Sequence, residues 1–189
     1  LLQEEVAIVA SGRTDAGVHC EQQFFHVDIV KPFTAGPFLQ RLNAFLPADI
    51  FLWNFSAFRQ NASARYDAIE RTYRYQITRK KNPFLQGYAW HFFKDVDVST
   101  MNEAASLLKG EQDFECFSKV KTDVNHFICE IHQASWTSDG DLLVFTISAN
   151  RFLRGMVRAI VGTLLDVGTG KIEMNEFVSI IKSKDRKKA

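Results

Sequence analysis

A polar loop, residues 11–19, carries the side chains of this sequence that are best suited to chemistry. Gly12 and Gly17 bracket it, and a cation (Arg13) and a carboxylate (Asp15) lie between them. Glycine permits backbone angles that other residues resist, so the two glycines predict a tightly turned loop. Loops on a rigid scaffold commonly carry catalytic groups. Taken alone, the loop also fits a plain turn in which the aspartate bonds to its own backbone.

Metal binding is a second chemistry that the sequence raises. Asp15 and His19 lie four residues apart, but two ligands are far short of a complete set. Two cysteines and two histidines further along also raise a zinc site: Cys116, His126, Cys129 and His132. Their spacing fits no standard finger, and on a regular strand Cys129 and His132 face opposite ways. The sequence therefore predicts no metal site.

The segments on either side of the loop predict how it is held. Apolar and alternating runs at residues 6–10 and 23–29 are typical of strands, which puts the loop at the end of a sheet. We predict a helix over residues 37–45, with Phe38, Leu42 and Phe45 on one face. A further strand is predicted at residues 50–53, followed by an irregular stretch at 58–68.

The second half of the chain predicts a sheet and three helices. A strand over residues 70–78 places Arg71, Tyr73, Tyr75 and Ile77 on one face. The other predicted elements are a helix from a Thr100–Glu103 capping box to about 109, a hairpin of strands 127–136 and 142–148, a helix over 151–167 closed by Gly168, and a short helix around 174–181 with a frayed tail, 182–188.

The late helix carries an unusual set of cations. Arg151, Arg154 and Arg158 recur at intervals of three and four, so a helix starting at residue 151 places them along one edge of its apolar stripe. Beside so wide a stripe, Arg158 is expected to be partly buried and to need a carboxylate partner. A solvated basic edge on a core helix is the alternative.

Composition bounds the class of protein. With 189 residues, 46% of them hydrophobic, the chain can bury a sizeable core. Its net charge of +1 does not by itself indicate a nucleic-acid binder, so any RNA surface must come from local clustering. Three cysteines without framework spacing favour free thiols in a reducing compartment, and hence a cytoplasmic protein. No run of residues is long enough to span a bilayer.

Three motifs in the correct order then resemble one family. The string Gly-Arg-Thr-Asp-Ala-Gly-Val-His at residues 12–19 resembles the signature of the tRNA pseudouridine synthase A family. Residues 71–75 resemble the tyrosine strand of that family, and residues 150–162 resemble its late arginine-bearing helix. The resemblance extends from about residue 6 to about residue 168.

The resemblance implies a fold and a reaction. The implied fold is α+β, the pseudouridine synthase fold, with a central antiparallel sheet flanked by helices. We expect residues 1–189 to form a single catalytic domain of two packed halves, about 1–68 and 69–189. The implied activity is isomerisation of uridine to pseudouridine at positions 38, 39 and 40 of the tRNA anticodon stem-loop, by a homodimer. Because nothing is oxidised and no group is gained or lost overall, we expect no cofactor and no metal.

The resemblance also implies roles for individual residues. It makes Asp15 the nucleophile and pairs Arg158 with it as the cation that keeps a carboxylate ionised in a dry pocket. It places Tyr73 against the uracil ring and gives Arg13 the task of helping to extrude the target nucleotide. Weaker candidates for RNA contacts are Arg154, Arg151, Arg65 and the cations at 79–81.

Two alternatives from other classes stay open at this point. One is a catalytically silent RNA-binding module using the same groove, which would tolerate loss of the Asp15 carboxylate. The other is a metal-dependent RNA hydrolase built on Asp15 and His19, which would need further ligands. The opening strand and helix of the family, and its closing strand, have no counterpart here, so we expect a fragment that is inactive or poorly folded by itself.

Overall fold

The computed structural model describes residues 2–12, 14–119 and 124–189. The chain divides into two compact units, Leu1–Ala68 and Ile69–Ala189. None of the helices in the described part of the chain has the length and apolar character that a bilayer crossing requires.

The first unit holds the polar loop between two short strands. Strands β1 (Val9–Ala10) and β2 (Phe25–His26) pair antiparallel, with Val9 opposite His26. Both predicted strands therefore exist, but each is shorter than its sequence pattern. Helix α1 (Ala35–Phe45) confirms the predicted helix. Phe38 and Leu42 are half-buried as expected, whereas Phe45 at its end is 81% exposed, so its assignment to the packed face was wrong.

The predicted strand at residues 50–53 is wrong. Its backbone does pair, but with a side chain: the Asn43 amide accepts from the Leu52 N–H at 2.8 Å and donates to the Leu52 carbonyl at 2.9 Å. One asparagine on α1 thus takes the place of a neighbouring strand. The bulky residues on either side stay exposed, Trp53 among them. An apolar run shows that a segment can pack, but not whether a partner strand lies beside it.

The second unit is built on a sheet whose strands follow the order β4-β3-β7-β6-β5. Its strands are β3 (Arg71–Thr78), β4 (Trp90–His91), β5 (Gly110–Asp113), β6 (Ile128–Asp139) and β7 (Leu142–Ala149). The β3–β4 pair is parallel and the other neighbours are antiparallel. The predicted strand at 70–78 and the predicted hairpin are both confirmed. A bulge between Ile131 and Gln133 interrupts the β6–β7 register.

Three further helices of the described chain lie in the second unit. These are α2 (Val98–Ser106), α3 (Met156–Gly168) and α4 (Met174–Ser183). One cluster of buried side chains joins them to the inward face of the sheet, with Ile77 and Phe145 from the strands, Met101 and Ile160 from α2 and α3, and Phe177 from α4. This is the predicted α+β fold, a largely antiparallel sheet with helices packed on it.

The ends of these helices differ from the sequence patterns. Helix α2 begins before the expected capping box, because the Asp97 carboxylate accepts from the N–H groups of Ser99 (2.9 Å) and Thr100 (3.1 Å). Glu103 therefore has no capping role. The expectation of a frayed tail is also wrong: after α4 the chain makes another turn (Arg186–Lys188), and Ala189 packs against the core.

Candidate active site

The polar loop begins where the β1–β2 ladder ends. The Ser11 N–H donates to the Phe24 carbonyl at 2.8 Å, which extends the pairing by one step and fixes both ends of the loop. Just after the loop, the Gln23 side-chain amide donates back to the Gly12 carbonyl at 2.9 Å, and its oxygen accepts from the Cys20 thiol at 3.2 Å. A side chain that follows the loop therefore holds the backbone at its beginning.

Asp15 opens a tight turn within this loop. The Val18 N–H donates to the Asp15 carbonyl at 3.2 Å, and Gly17 has a φ of +80°. A positive φ at the third position of a four-residue turn is the geometry of a type II turn, which strongly favours glycine. Gly12 does not lie in this left-handed region, so only one of the two glycines is needed for its backbone angles. The Asp15 side chain is exposed.

Arg13, the predicted RNA contact, lies outside the described residues. The other candidate of the first unit, Arg65, is exposed, with its guanidinium carbon 5.4 Å from the centre of the Tyr66 ring. Close by in sequence, Asp67 accepts from the Ser63 N–H and from the Arg59 guanidinium, both at 3.0 Å. These bonds, the backbone one foremost, hold the pKa of Asp67 below its ordinary value. They order the predicted irregular stretch.

Tyr73 lies in the second unit, in the middle of β3. Its backbone pairs with Ile147 of β7, and its half-buried ring meets Phe152 edge to face, with 5.1 Å between ring centres. Phe152 belongs to the connection between β7 and α3. Tyr73 is therefore positioned by a central strand and by an aromatic partner, and edge-to-face pairs of this kind contribute about 0.5–1.5 kcal/mol beyond burial.

Arg158 lies on α3, close enough to the same strand for its charge to act there. Burial raises the pKa of Tyr75, and the positive charge of Arg158 opposes that rise. Arg158 also lines an open pocket of about 340 Å³, together with Trp90 of β4 and Asp166 of α3. The structure thus brings the arginine of α3 to the tyrosine strand. Arg158 is exposed rather than partly buried as expected.

The other two arginines of the predicted helix edge are not on the helix. Helix α3 begins only at Met156, and Gly155 before it has a φ of +73°, so Arg151 and Arg154 belong to the connecting segment. The Arg151 guanidinium is 3.2 Å from His126 Nε2. The Arg154 side chain is exposed, while its carbonyl accepts from the Lys119 N–H at 2.9 Å. The interval-of-three spacing was therefore misleading at these two positions.

Asn150 is a positioning residue that the sequence reasoning missed. It follows β7, where its N–H donates to the Glu130 carbonyl at 3.1 Å and its side-chain oxygen accepts from the Glu130 N–H at 3.0 Å. Its own carbonyl accepts from the Arg71 guanidinium at 3.0 Å. These bonds anchor the connection that carries Phe152 toward α3. The signal in the sequence was an asparagine directly after a strand, a residue type whose short amide readily bonds to nearby backbone.

Metal chemistry has no visible support in the described part of the chain. No group of three or more histidine, cysteine, aspartate or glutamate side chains there is arranged to hold an ion. Cys129 is buried, whereas His132 on the same strand is exposed. Burial raises the pKa of Cys116 and of Cys129 to about 11, which keeps both thiols protonated at neutral pH and makes them packing groups.

Comparison with known proteins gives one consistent result. The profile of a family described as tRNA pseudouridine synthase matches residues 104–189. The chain is 44% identical to tRNA pseudouridine synthase A of Porphyromonas gingivalis, over 100% of this chain and 77% of that protein. It is 46% identical to the enzyme of the same name from Parabacteroides distasonis, over 100% and 75% of the two chains. For the Bacillus subtilis protein the identity is 39%, over 99% and 76%.

Proposed function

Because the chain belongs to the tRNA pseudouridine synthase A family, as an enzyme that isomerises uridine in tRNA, we propose that its targets are uridines 38, 39 and 40 of the anticodon stem-loop. The reaction breaks the bond between ribose C1′ and N1 of uracil. The base then turns, and C5 bonds to C1′. The hydrogen of C5 leaves as a proton and N1 gains one, so the product is an isomer of the substrate. This balance calls for a nucleophile and a closed site rather than an oxidant.

Asp15 is the residue that we propose as this nucleophile. The observation that carries the proposal is its place in the loop: an exposed carboxylate on a glycine-dependent turn, braced at both ends by β1 and β2. An ionised carboxylate is a competent nucleophile for sugar and base chemistry. An ordered turn also holds the group in one place, and positioning contributes strongly to rate.

Substrate binding is proposed for Tyr73, Arg158 and Arg13. The Tyr73 ring is held by an edge-to-face contact with Phe152, and an aromatic ring fixed in this way is suited to stacking on the uracil. Arg158 supplies a positive charge to the lining of a pocket, which suits a phosphate or a carboxylate. Extruding a base from the stem costs a few kcal/mol, and contacts from such cations offset it. Arg154 and Arg65, both exposed, remain weaker candidates for phosphate contacts.

At the level of the assembly, we propose a homodimer acting in the cytoplasm, where tRNA is processed. A net charge of +1 is modest for an RNA-binding protein. One tRNA contacting two subunits would double the number of cations available to it. We further propose that both units form one catalytic domain, because Asp15 is in the first while Tyr73 and Arg158 are in the second.

The experiment that tests this function measures release of tritium from C5-labelled uridine. The substrates are anticodon stem-loop tRNAs labelled at position 38, 39 or 40, with a tRNA labelled only at other uridines for comparison. Release of tritium by the parent chain from the first set, with a chelator present, would support this function and contradict the expectation that the chain is inactive by itself. Asp15→Asn, which keeps the shape and removes the charge, should lower the rate by at least about 10³-fold.

The matched control is Asp28→Asn, an exposed aspartate just beyond β2 in the same unit. It should leave the rate unchanged within a factor of about two, as expected for a solvated surface residue. Full activity of Asp15→Asn would exclude the nucleophile role. No release by the parent, together with tight tRNA binding by parent and Asp15→Asn alike, would instead establish a silent RNA-binding module.

A further inference from the structure

Residues 79–94, which we call the basic–aromatic segment, differ in composition from the rest of the chain. The whole sequence has 23 lysines and arginines against 22 acidic residues, yet this segment contains no aspartate or glutamate. Its cations and rings are Arg79, Lys80, Lys81, Lys94, Phe84, Tyr88, Trp90, Phe92 and Phe93. Cations interleaved with aromatic rings are the composition of surfaces that bind unpaired nucleotides.

The backbone of this segment is ordered, although four of its five rings are exposed and only Phe92 packs against the core. The Asn82 side chain accepts from the Phe84 N–H at 3.0 Å and opens a short turn, Pro83–Leu85. Further on, β4 pairs with the end of β3, and the Phe92 N–H donates to the Thr78 carbonyl at 3.0 Å. Even so, Phe84 is 91% exposed and Phe93 is 78% exposed. Holding apolar rings in water on a fixed backbone gives up the free energy of burying them.

The charges of the segment divide into two groups. The two cations nearest β3 are engaged by the β6–β7 turn: the Arg79 guanidinium donates to the Gly140 carbonyl at 3.0 Å, and Lys80 pairs with Asp141 at 3.0 Å. Lys81 and Lys94, at the two ends of the exposed stretch, are themselves exposed, and neither forms an ion pair with any residue that the structure describes. The predicted cation cluster at 79–81 is thus reduced to one lysine, with a second contributed by residue 94.

We propose that the basic–aromatic segment binds unpaired bases of the tRNA substrate, with Phe84 and Phe93 stacking on bases and Lys81 and Lys94 contacting the adjoining phosphates. The identity of the RNA rests on the proposed function. A phenylalanine ring offers a π face to any base, and a lysine beside it meets the phosphate that follows. These interactions extend recognition beyond the residues assigned to the reaction.

Charge separates this proposal from docking of a second copy of the chain. In a two-fold dimer built on this surface the same segment would face itself, because such interfaces use one patch twice. Two copies of a segment with cations and no carboxylate would repel each other. Lysine is moreover depleted in the centre of protein interfaces. A single-stranded polyanion with unpaired bases matches both the rings and the charges.

The test compares two double variants in the intact chain. Phe84→Ala with Phe93→Ala removes the rings, and Lys81→Gln with Lys94→Gln removes the charges. The matched controls are Phe45→Ala, a ring that is 81% exposed on α1, and Lys182→Gln, a lysine on the last turn of α4. Filter binding is measured on an anticodon stem-loop tRNA and on a blunt RNA duplex of the same length, at several salt concentrations, with thermal melting to verify folding.

We expect the ring variant to bind tRNA at least about fivefold more weakly for each stacked base, and the duplex almost unchanged. The lysine variant should weaken binding to both RNAs. It should also lower the salt slope by about 0.7 for each single-strand phosphate that it no longer neutralises. The controls should bind both RNAs as the parent does.

Three outcomes would overturn the proposal. They are unchanged tRNA binding by the ring variant, equal weakening on tRNA and duplex, and a shift from dimer to monomer caused by the ring variant without RNA. The last would assign the surface to a second copy. Because binding is measured apart from turnover, a parent chain that binds tRNA but releases no tritium would contradict the proposed function and leave this surface standing.

Discussion

Gly17 shows how one residue sets the shape of the candidate catalytic loop. Its φ of +80° completes the turn that Asp15 opens, and a side chain at such an angle costs about 1–2 kcal/mol. The cost is conformational rather than steric, because an added Cβ at Gly17 would meet no atom within 4 Å. The turn therefore depends on backbone freedom alone.

The prediction at this scale is that Gly17→Ala lowers catalysis more than stability. The alanine forces the turn to adopt another geometry, which moves Asp15 relative to its substrate. A displacement of about 1 Å can reduce a rate about 100-fold, so we expect tritium release to fall roughly 10- to 100-fold. The fall is measured as the single-turnover rate of tritium release at saturating tRNA.

Gly12→Ala is the control for this substitution. Gly12 lies in the same loop with no atom within 4 Å of an added Cβ, but its φ is not in the left-handed region. Its rate should stay within about threefold of the parent. Equal effects of the two alanines would show that the turn angle at Gly17 is unimportant.

At the scale of elements, the packing of α2 against α3 depends on another glycine. The sequence assigned Gly168 to ending α3, a role that suits a left-handed residue. Gly168 is not left-handed, however, and the Asp97 N–H of the α2 cap donates to its carbonyl at 2.9 Å. An added Cβ would lie 2.5 Å from the Met101 sulfur and 3.3 Å from Val96 Cβ. The absence of a side chain is what lets the two helices approach.

We predict that Gly168→Ala lowers the free energy of unfolding by about 1–3 kcal/mol, the usual cost of overpacking. Met101 is fully buried, so its flexible side chain has little room to move away. The measurement is urea unfolding followed by circular dichroism.

Gly162→Ala on the same helix is the matched comparison. Gly162 is exposed and has no atom within 4 Å of an added Cβ, so alanine should raise stability by up to about 1 kcal/mol through helix propensity. We therefore expect Gly168→Ala to lower the free energy of unfolding and Gly162→Ala to raise it. A destabilisation of the same size at both positions would contradict the packing explanation.

At the scale of the whole second unit, the C-terminal segment is fastened to the sheet. Lys184, just after α4, pairs with Asp113 at the end of β5, with 2.6 Å between the charged atoms. Burial acts to raise the pKa of Asp113, but the Lys184 ammonium and the Glu115 N–H together hold it below its ordinary value. The hydrogen bond to Asp113 raises the pKa of Lys184. This ion pair helps to hold the tail that the sequence predicted to be frayed.

These shifts predict a stabilisation that depends on pH. Because the pKa of Asp113 is lowered by folding, the contribution is complete above the ordinary aspartate pKa of about 4 and is lost as the pH falls through the lowered value. The raised pKa of Lys184 similarly retains the contribution up to the ordinary lysine pKa, and it is lost as the pH rises through the raised value. Asp113→Asn, which keeps the bond from Glu115, should remove the pair at neutral pH.

Amide hydrogen exchange of α4 measures this effect. At pH 7 we expect Asp113→Asn to exchange up to about fivefold faster than the parent, a modest change because the pair is partly solvated. At a pH of about 2–3, after correction for intrinsic rates, the two chains should converge because the carboxylate is then protonated. Asp139→Asn, an exposed aspartate at the end of β6, should match the parent at both pH values. A difference that persists undiminished in acid would contradict the ion-pair explanation.

The sequence by itself determined the elements whose pattern is local. Period-two alternation located β3 and the β6–β7 hairpin, a glycine predicted the Asp15 turn, and three ordered motifs indicated the family that the comparisons with known proteins then showed. These signals succeed because turns and strand faces depend on neighbours in the chain.

Only the tertiary structure decided the features that depend on distant partners. The Asn43 side chain bonds to the backbone of Leu52 where a partner strand was expected. Helix α3 begins after Gly155, so it does not include Arg154. The C-terminal residue packs against the core, whereas the rings of Phe84 and Phe93 are exposed to solvent. Such outcomes rest on bonds and surfaces between residues far apart in sequence, whose free energies a local pattern does not contain.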